Sequence, residues 1–242
     1  MRTVIRRANR LLGILVPRLG AALDARRPHL FQAWGGPFNG QVKRQELFLE
    51  ILSLSRFEAI VETGAYRGTT TAYLRQASGL PVYTVEVNAR YFHFCRRRFR
   101  DDGGVHILLG SSPRQLRHLA EDPAVPRSNV FFYLDAHWGR RLPLLDELDV
   151  IAGSWSDSVV MIDDFRVPAD DGYAYDAYEG GAELSREYVD LDRIPGMDIY
   201  WPAAPSSSET GERRGCVVLG SSGAISDALR DGVHLRPDHH AE

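Results

Sequence analysis

Between residues 57 and 219 the chain repeats one rhythm, a short apolar run followed by an amphipathic stretch and then another apolar run. Residues 59–61, 82–87, 106–109, 130–134 and 159–162 read as strands, and 45–54, 69–76, 89–100, 113–120 and 142–152 as helices, by length and apolar spacing. Parallel neighbours need a crossover, and the crossover helix covers a face of the sheet. The alternation therefore predicts an α/β domain with a mostly parallel sheet and helices on both faces. Two further strands, 197–201 and 216–219, flank a turn-rich stretch and predict an antiparallel hairpin at the sheet edge, with a helix over 183–192 before them. In a chain of 242 residues this is one large domain, 45–236, with an N-terminal extension (1–44) and a polar tail (237–242).

The extension is basic and amphipathic. Arg2, Arg6, Arg7, Arg10 and Arg18 surround Val4, Ile5, Leu11, Leu12, Ile14 and Leu15, which predicts a helix that caps its own domain or packs on a second copy as a homodimer contact. No apolar run reaches the roughly 18 residues of a membrane span. A formal charge of −3 gives no overall field for nucleic acid, and the arginines Arg96, Arg97, Arg98 and Arg100 read as a solvated helix face. Cys95 and Cys216 form no disulfide framework or zinc motif, so a reducing cytoplasmic compartment is expected.

Chemistry concentrates at the carboxyl ends of the strands, where open α/β sheets bind ligands. The first strand runs into Glu62-Thr63-Gly64-Ala65-Tyr66-Arg67-Gly68-Thr69, a turn whose glycines bring backbone N–H groups close to a ligand. The glycine spacing is not that of a dinucleotide fold or of a phosphate loop. Glu86 ends the second strand, where an acid can grip ribose hydroxyls. Glu62-x-Gly64-x-x-x-Gly68 followed by Glu86 resembles the first two motifs of class I S-adenosylmethionine-dependent methyltransferases. The resemblance covers residues 57–219 and implies a Rossmann-like, seven-stranded sheet with an antiparallel C-terminal strand. It implies S-adenosylmethionine as cofactor, held by Glu62, Gly64, Ala65, Tyr66, Gly68 and Thr69, with Glu86 on the ribose. Ser111 stands where many members carry an adenine-contacting acid.

The fourth strand ends in Asp135-Ala136-His137 and the fifth in Asp163-Asp164, so three carboxylates are expected at one sheet edge. Close like charges repel unless a cation intervenes, and oxygen ligands favour Mg²⁺ or another divalent cation. The pattern resembles the macrocin-type O-methyltransferases, which implies Asp135, Asp163 and Asp164 as metal ligands, with Asp135 also near the cofactor. His137 then takes the base position, which suits imidazole chemistry, with a fourth metal ligand as the alternative role. Tyr173, Tyr175 and Tyr178 are candidates for a substrate wall. The expected function is Mg²⁺-assisted O-methylation of a small-molecule acceptor such as a sugar or other natural product. Two alternatives stand beside it: a metal-independent N-methyltransferase, and a non-catalytic cofactor-binding protein of the same fold.

Overall fold

A computed structural model describes residues 16–137, 142–178, 180–189, 194 and 196–238. Residues 1–15, with Trp138, Arg140 and Arg141, lie outside the described residues. Eight strands form one sheet in the order β3-β2-β1-β4-β5-β7-β6-β8. The first five, β1 (Ala59–Thr63), β2 (Val82–Glu86), β3 (Val105–Leu109), β4 (Val130–Leu134) and β5 (Val159–Asp163), are parallel. Their crossovers carry α3 (Thr69–Ser78), α4 (Ala89–Arg98), α5 (Ser112–Glu121) and α6 (Leu144–Ser154), preceded by α1 (Pro17–Asp24) and α2 (Val42–Leu54). The chain order reverses beside β1, opening a crevice at the carboxyl ends of β1 and β4.

Strand side chains alternate between faces, and the apolar residues do so along every central strand. Phe131, Tyr133, Val159 and Met161 meet Leu47, Phe48 and Ile51 of α2 and Leu74 of α3 on one face. Val130, Phe132, Leu134, Val160 and Ile162 meet α5 and α6 on the other through Leu116, Leu119, Leu144, Leu148 and Ile151. Central strands buried on both faces explain why their sequences read as continuous apolar runs.

All seven expected strands are present, and β8 (Leu235–Pro237) adds an eighth at the edge. The expected hairpin forms between β6 (Met197–Pro202) and β7 (Cys216–Ser221), but it is the later strand that joins the parallel set, antiparallel to β5. A further helix, α7 (Ala224–Arg230), covers β7. Of the helix expected over 183–192, residues 190–192 lie outside the described residues, and 183–189 form a bridge residue, bends and turns instead, with Leu184, Ser185 and Val189 drawn into the core as a loop. The described part of the N-terminal extension packs against the domain. Asp24 of α1 is buried and takes a bidentate pair from Arg90 of α4, at 2.8 and 2.7 Å. Residues 28–40, two 3-10 turns (Pro28–Gly35 and Pro37–Gly40), strap over the sheet edge and insert Phe38 among Phe48, Tyr73 and Tyr133.

Glu147, in the first turn of α6, is fully buried, and burial pushes its carboxyl up to about 7 against the weaker pull of the Ser112 and Thr63 hydroxyls. Between its ordinary value of 4.5 and about 7 the folded chain holds a proton that the unfolded chain has released. Its contribution to stability is therefore present below pH 4.5 and lost as pH rises through 7. Glu147→Gln mimics the protonated acid. Urea unfolding should find it matched to wild type near pH 4 and more stable by roughly 3 kcal/mol at pH 8.

Candidate active site

After Thr63 the chain turns through Gly64 and Gly68, both left-handed, with φ of +88° and +70°. A Cβ on Gly64 would overlap the carbonyl oxygen of Asp135, so glycine is what lets the turn after β1 lie against the turn after β4. The Gly64 and Ala65 N–H groups donate to Val85 O at 2.9 and 3.0 Å. Glu86 closes the turn from the other side, where its carboxylate accepts from Tyr66 N at 2.7 Å and Asn88 N at 2.6 Å. Burial outweighs these bonds and pushes Glu86 up to about 7. Glu62 is buried beneath the turn, accepting from the hydroxyls of Thr71 and Thr84 (2.5 Å for Thr84), and burial raises it as well.

The three aspartates do not act as one group. Asp163 shares the strand parity of Val159 and Met161, which points it into the α2 face, where it is 0% exposed. There its Oδ1 pairs with the Arg44 guanidinium, and its Oδ2 accepts from Tyr133 OH at 2.7 Å and Asn39 Nδ2 at 3.3 Å. Burial opposes its charge, but Arg44 and Tyr133 win, and its carboxyl is held below the ordinary value. Asp164, one residue past the strand and left-handed at φ +56°, turns to the crevice instead. Arg214 Nε donates to Asp164 Oδ1 at 2.5 Å, and Arg214 Nη2 pairs with Asp176 Oδ1. Tyr178 OH lies 3.2 Å from Asp176 Oδ2 and 2.8 Å from the backbone oxygen of His137. Asp135 is pushed well above its ordinary value, first by burial and then by Asp163 and Asp164.

A cavity of about 450 Å³ joins these parts, a size ordinary for small-molecule sites. Of the expected site residues, Glu62, Gly64, Ala65, Tyr66, Thr69, Asp135, His137 and Asp164 are on its wall. Gly68, Glu86, Ser111 and Asp163 are not, although Glu86 acts on the turn through Tyr66. Tyr178 lines the cavity as expected. Tyr173 is instead buried on Ala204 O (3.0 Å), and Tyr175 lies under the Arg166 guanidinium. His137 is 2% exposed, and neither ring nitrogen has a hydrogen-bond partner among the described residues. Burial pulls its pKa down to about 4, so the imidazole is neutral at pH 7.

Sequence reading missed Arg44, Asn39, Asp176 and Arg214. Arg44 carried a usable signal. It stands at i of the stripe Leu47, Phe48, Ile51 (i+3, i+4, i+7), and a charge on a buried face requires a buried partner.

The residues do not fit the expected divalent cation. Both Asp163 oxygens and one oxygen of Asp164 already accept from Arg44, Tyr133, Asn39 and Arg214, and no group of three acidic, His or Cys side chains among the described residues is arranged to hold a metal. The positive charge at this edge comes from guanidinium groups.

No family model and no curated protein matches the sequence. Solved structures match the fold. An O-methyltransferase from Bacillus cereus, in complex with SAH, gives a TM-score of 0.56 at 15% identity over 89% of this chain and 97% of that one. The fold is that of methyltransferases. The cofactor-bound Rv0187 from MTB agrees, at 0.54 and 20% identity over 87% and 94% of the two chains. Identities this low speak for the methyltransferase architecture, and the chemistry must be argued from side chains.

Two substitutions test this geometry. Gly64→Ala forces a Cβ into Asp135 at positive φ and should lower unfolding free energy by at least about 1–3 kcal/mol in urea titrations. Arg44→Met leaves Asp163 buried without its cation and should cost roughly 3–5 kcal/mol in the same measurement.

Proposed function

We propose that this chain transfers a methyl group from S-adenosylmethionine to a hydroxyl oxygen of a small molecule such as a sugar or other natural product. One observation carries the reading: a single cavity has the glycine turn Gly64–Tyr66 on one wall and the unpartnered imidazole of His137 on another. When bound, S-adenosylmethionine supplies an electrophilic methyl group on a sulfonium centre. Glu62, the Gly64–Tyr66 turn and Thr69 would hold it, with Glu86 fixing the turn from behind through Tyr66 N. The fold shared with the Bacillus cereus O-methyltransferase supports this placement.

His137 is the group we assign to the acceptor's proton. Its ring is neutral at pH 7, the state a base needs before reaction, and the nearby Asp163 and Asp176 carboxylates favour the imidazolium as it forms. The rest of the chain's contribution is alignment of the acceptor oxygen with the methyl group. The reading includes no divalent cation, because Arg44 and Arg214 already occupy the carboxylates. Cys95 and Cys216 are buried free thiols, which supports a reducing, cytoplasmic setting.

Calorimetric titration with S-adenosylhomocysteine tests the cofactor half. Wild type should show one saturable site, unchanged by chelator, and Glu86→Ala should weaken it at least tenfold, about 1.4 kcal/mol. His137→Gln should keep that affinity and lose methyl transfer in an acceptor screen with labelled S-adenosylmethionine. Absence of any cofactor binding to wild type would sink the proposal.

A further inference from the structure

The charges at the acidic edge of the cavity are held together by Arg214. Its backbone is pinned from two sides. Arg214 N donates to Gln41 Oε1 at 2.8 Å, and its carbonyl accepts from Gln41 Nε2 at 2.9 Å and Arg44 Nη2 at 2.6 Å. Next to it, Gly215 N donates to Ala174 O at 2.8 Å, tying the start of β7 to the 164–178 loop. From this fixed base the guanidinium forks, with Nε on Asp164 and Nη2 on Asp176, and Arg214 lines the same cavity as both acids. A planar fork can bridge two carboxylates from different loops in a way a lysine ammonium cannot.

We propose that the Arg214 guanidinium occupies the place a divalent cation would take between Asp164 and Asp176, so that the acceptor site is served by a fixed organic cation and binds no metal. The inference deepens the acceptor-site reading above and rests on it for the word acceptor. Its geometric content stands on the ion pairs alone. A metal entering here would meet a like charge and would have to displace N–H groups from the very oxygens it needs. Removing the guanidinium reverses both conditions, since it leaves acids from two loops facing one cavity with no counter-charge from Arg214.

The test uses Mn²⁺ as probe and the loss of the free-ion electron paramagnetic resonance signal as readout, on full-length protein saturated with S-adenosylhomocysteine. Arg214→Met should gain one saturable Mn²⁺ site at least tenfold tighter than any in wild type, and Arg214→Lys, which keeps the charge, should gain none. Arg214→Gln, which keeps a donor and loses the charge, is the second variant should Arg214→Met fail to fold. If either neutral variant folds only with the ion present, a thermal midpoint that climbs with Mn²⁺ concentration reads the same gain. One equivalent of Mn²⁺ bound by wild type as tightly as by the variants overturns the proposal, and so do neutral variants that gain no site. S-adenosylhomocysteine binding is read on the same samples, so failure of the cofactor reading would be seen separately from the Mn²⁺ result.

Discussion

The buried pair between Arg44 and Asp163 is the contact on which the cavity end of the sheet depends. Both side chains are almost wholly removed from water, at 2% and 0% exposure, so attraction between them must offset a large desolvation cost. That balance holds only if the remaining polar atoms are also matched. Tyr133 from β4 and Asn39 from the strap complete Asp163, while Arg44 Nη2 takes the carbonyl of Arg214. One ion pair thus fixes α2, the ends of β4 and β5, the strap and the entry to β7 relative to each other. Glu209 adds to the hold on α2 by accepting from the Lys43 and Arg44 backbone N–H groups at 2.9 and 3.1 Å.

With Asp163 turned into the helix layer, its neighbour is free to do the opposite. Asp164 leaves the strand in a left-handed conformation and meets the crevice, where Arg214 and Asp176 continue the alternation of charges. The site is therefore layered: an inner pair that is structural, then an outer bridge that lines the cavity. Each acid in these layers has a guanidinium, and the protons of the cluster are governed by those pairings as much as by burial. Asp163, paired and fully hydrogen-bonded, is held below its ordinary value, whereas Asp164, with burial and Asp163 against it, is pushed up to about 7 despite Arg214.

The sheet was legible because period-2 and period-3.6 patterns report burial directly, and the strand runs 130–134 and 159–162 fall on β4 and β5 almost residue for residue. The glycine turn was legible for a related reason, since Gly64 answers a local steric demand. What sequence reading blurred was the side each strand-end acid takes. Asp135, Asp163 and Asp164 were grouped by their shared position at strand ends, yet strand alternation places Asp163 with Val159 and Met161, away from the crevice. Arg214 and Asp176 lie on loops whose positions are set by long-range pairing with Ala174 and Gln41, and no local periodicity encodes that. β8, three residues long and ending in Pro237, gives too short a pattern to read.

Partner accounting separates the groups that hold the site from those left to a ligand. Around the cavity, Glu62 has its threonines, Asp164 and Asp176 have Arg214, and Tyr178 has Asp176 and the His137 carbonyl. His137 stands apart, since its backbone is held and its ring nitrogens are not. Polar atoms buried without partners are costly, and a fold keeps them where something else completes them. The cavity is also lined by the strap, with Trp34, Gly36 and Asn39, and by the loop carrying Ala177 and Tyr178. On the proposed function, discrimination among acceptors would fall to these two irregular segments, which the Arg44 and Arg214 networks hold in front of the parallel sheet.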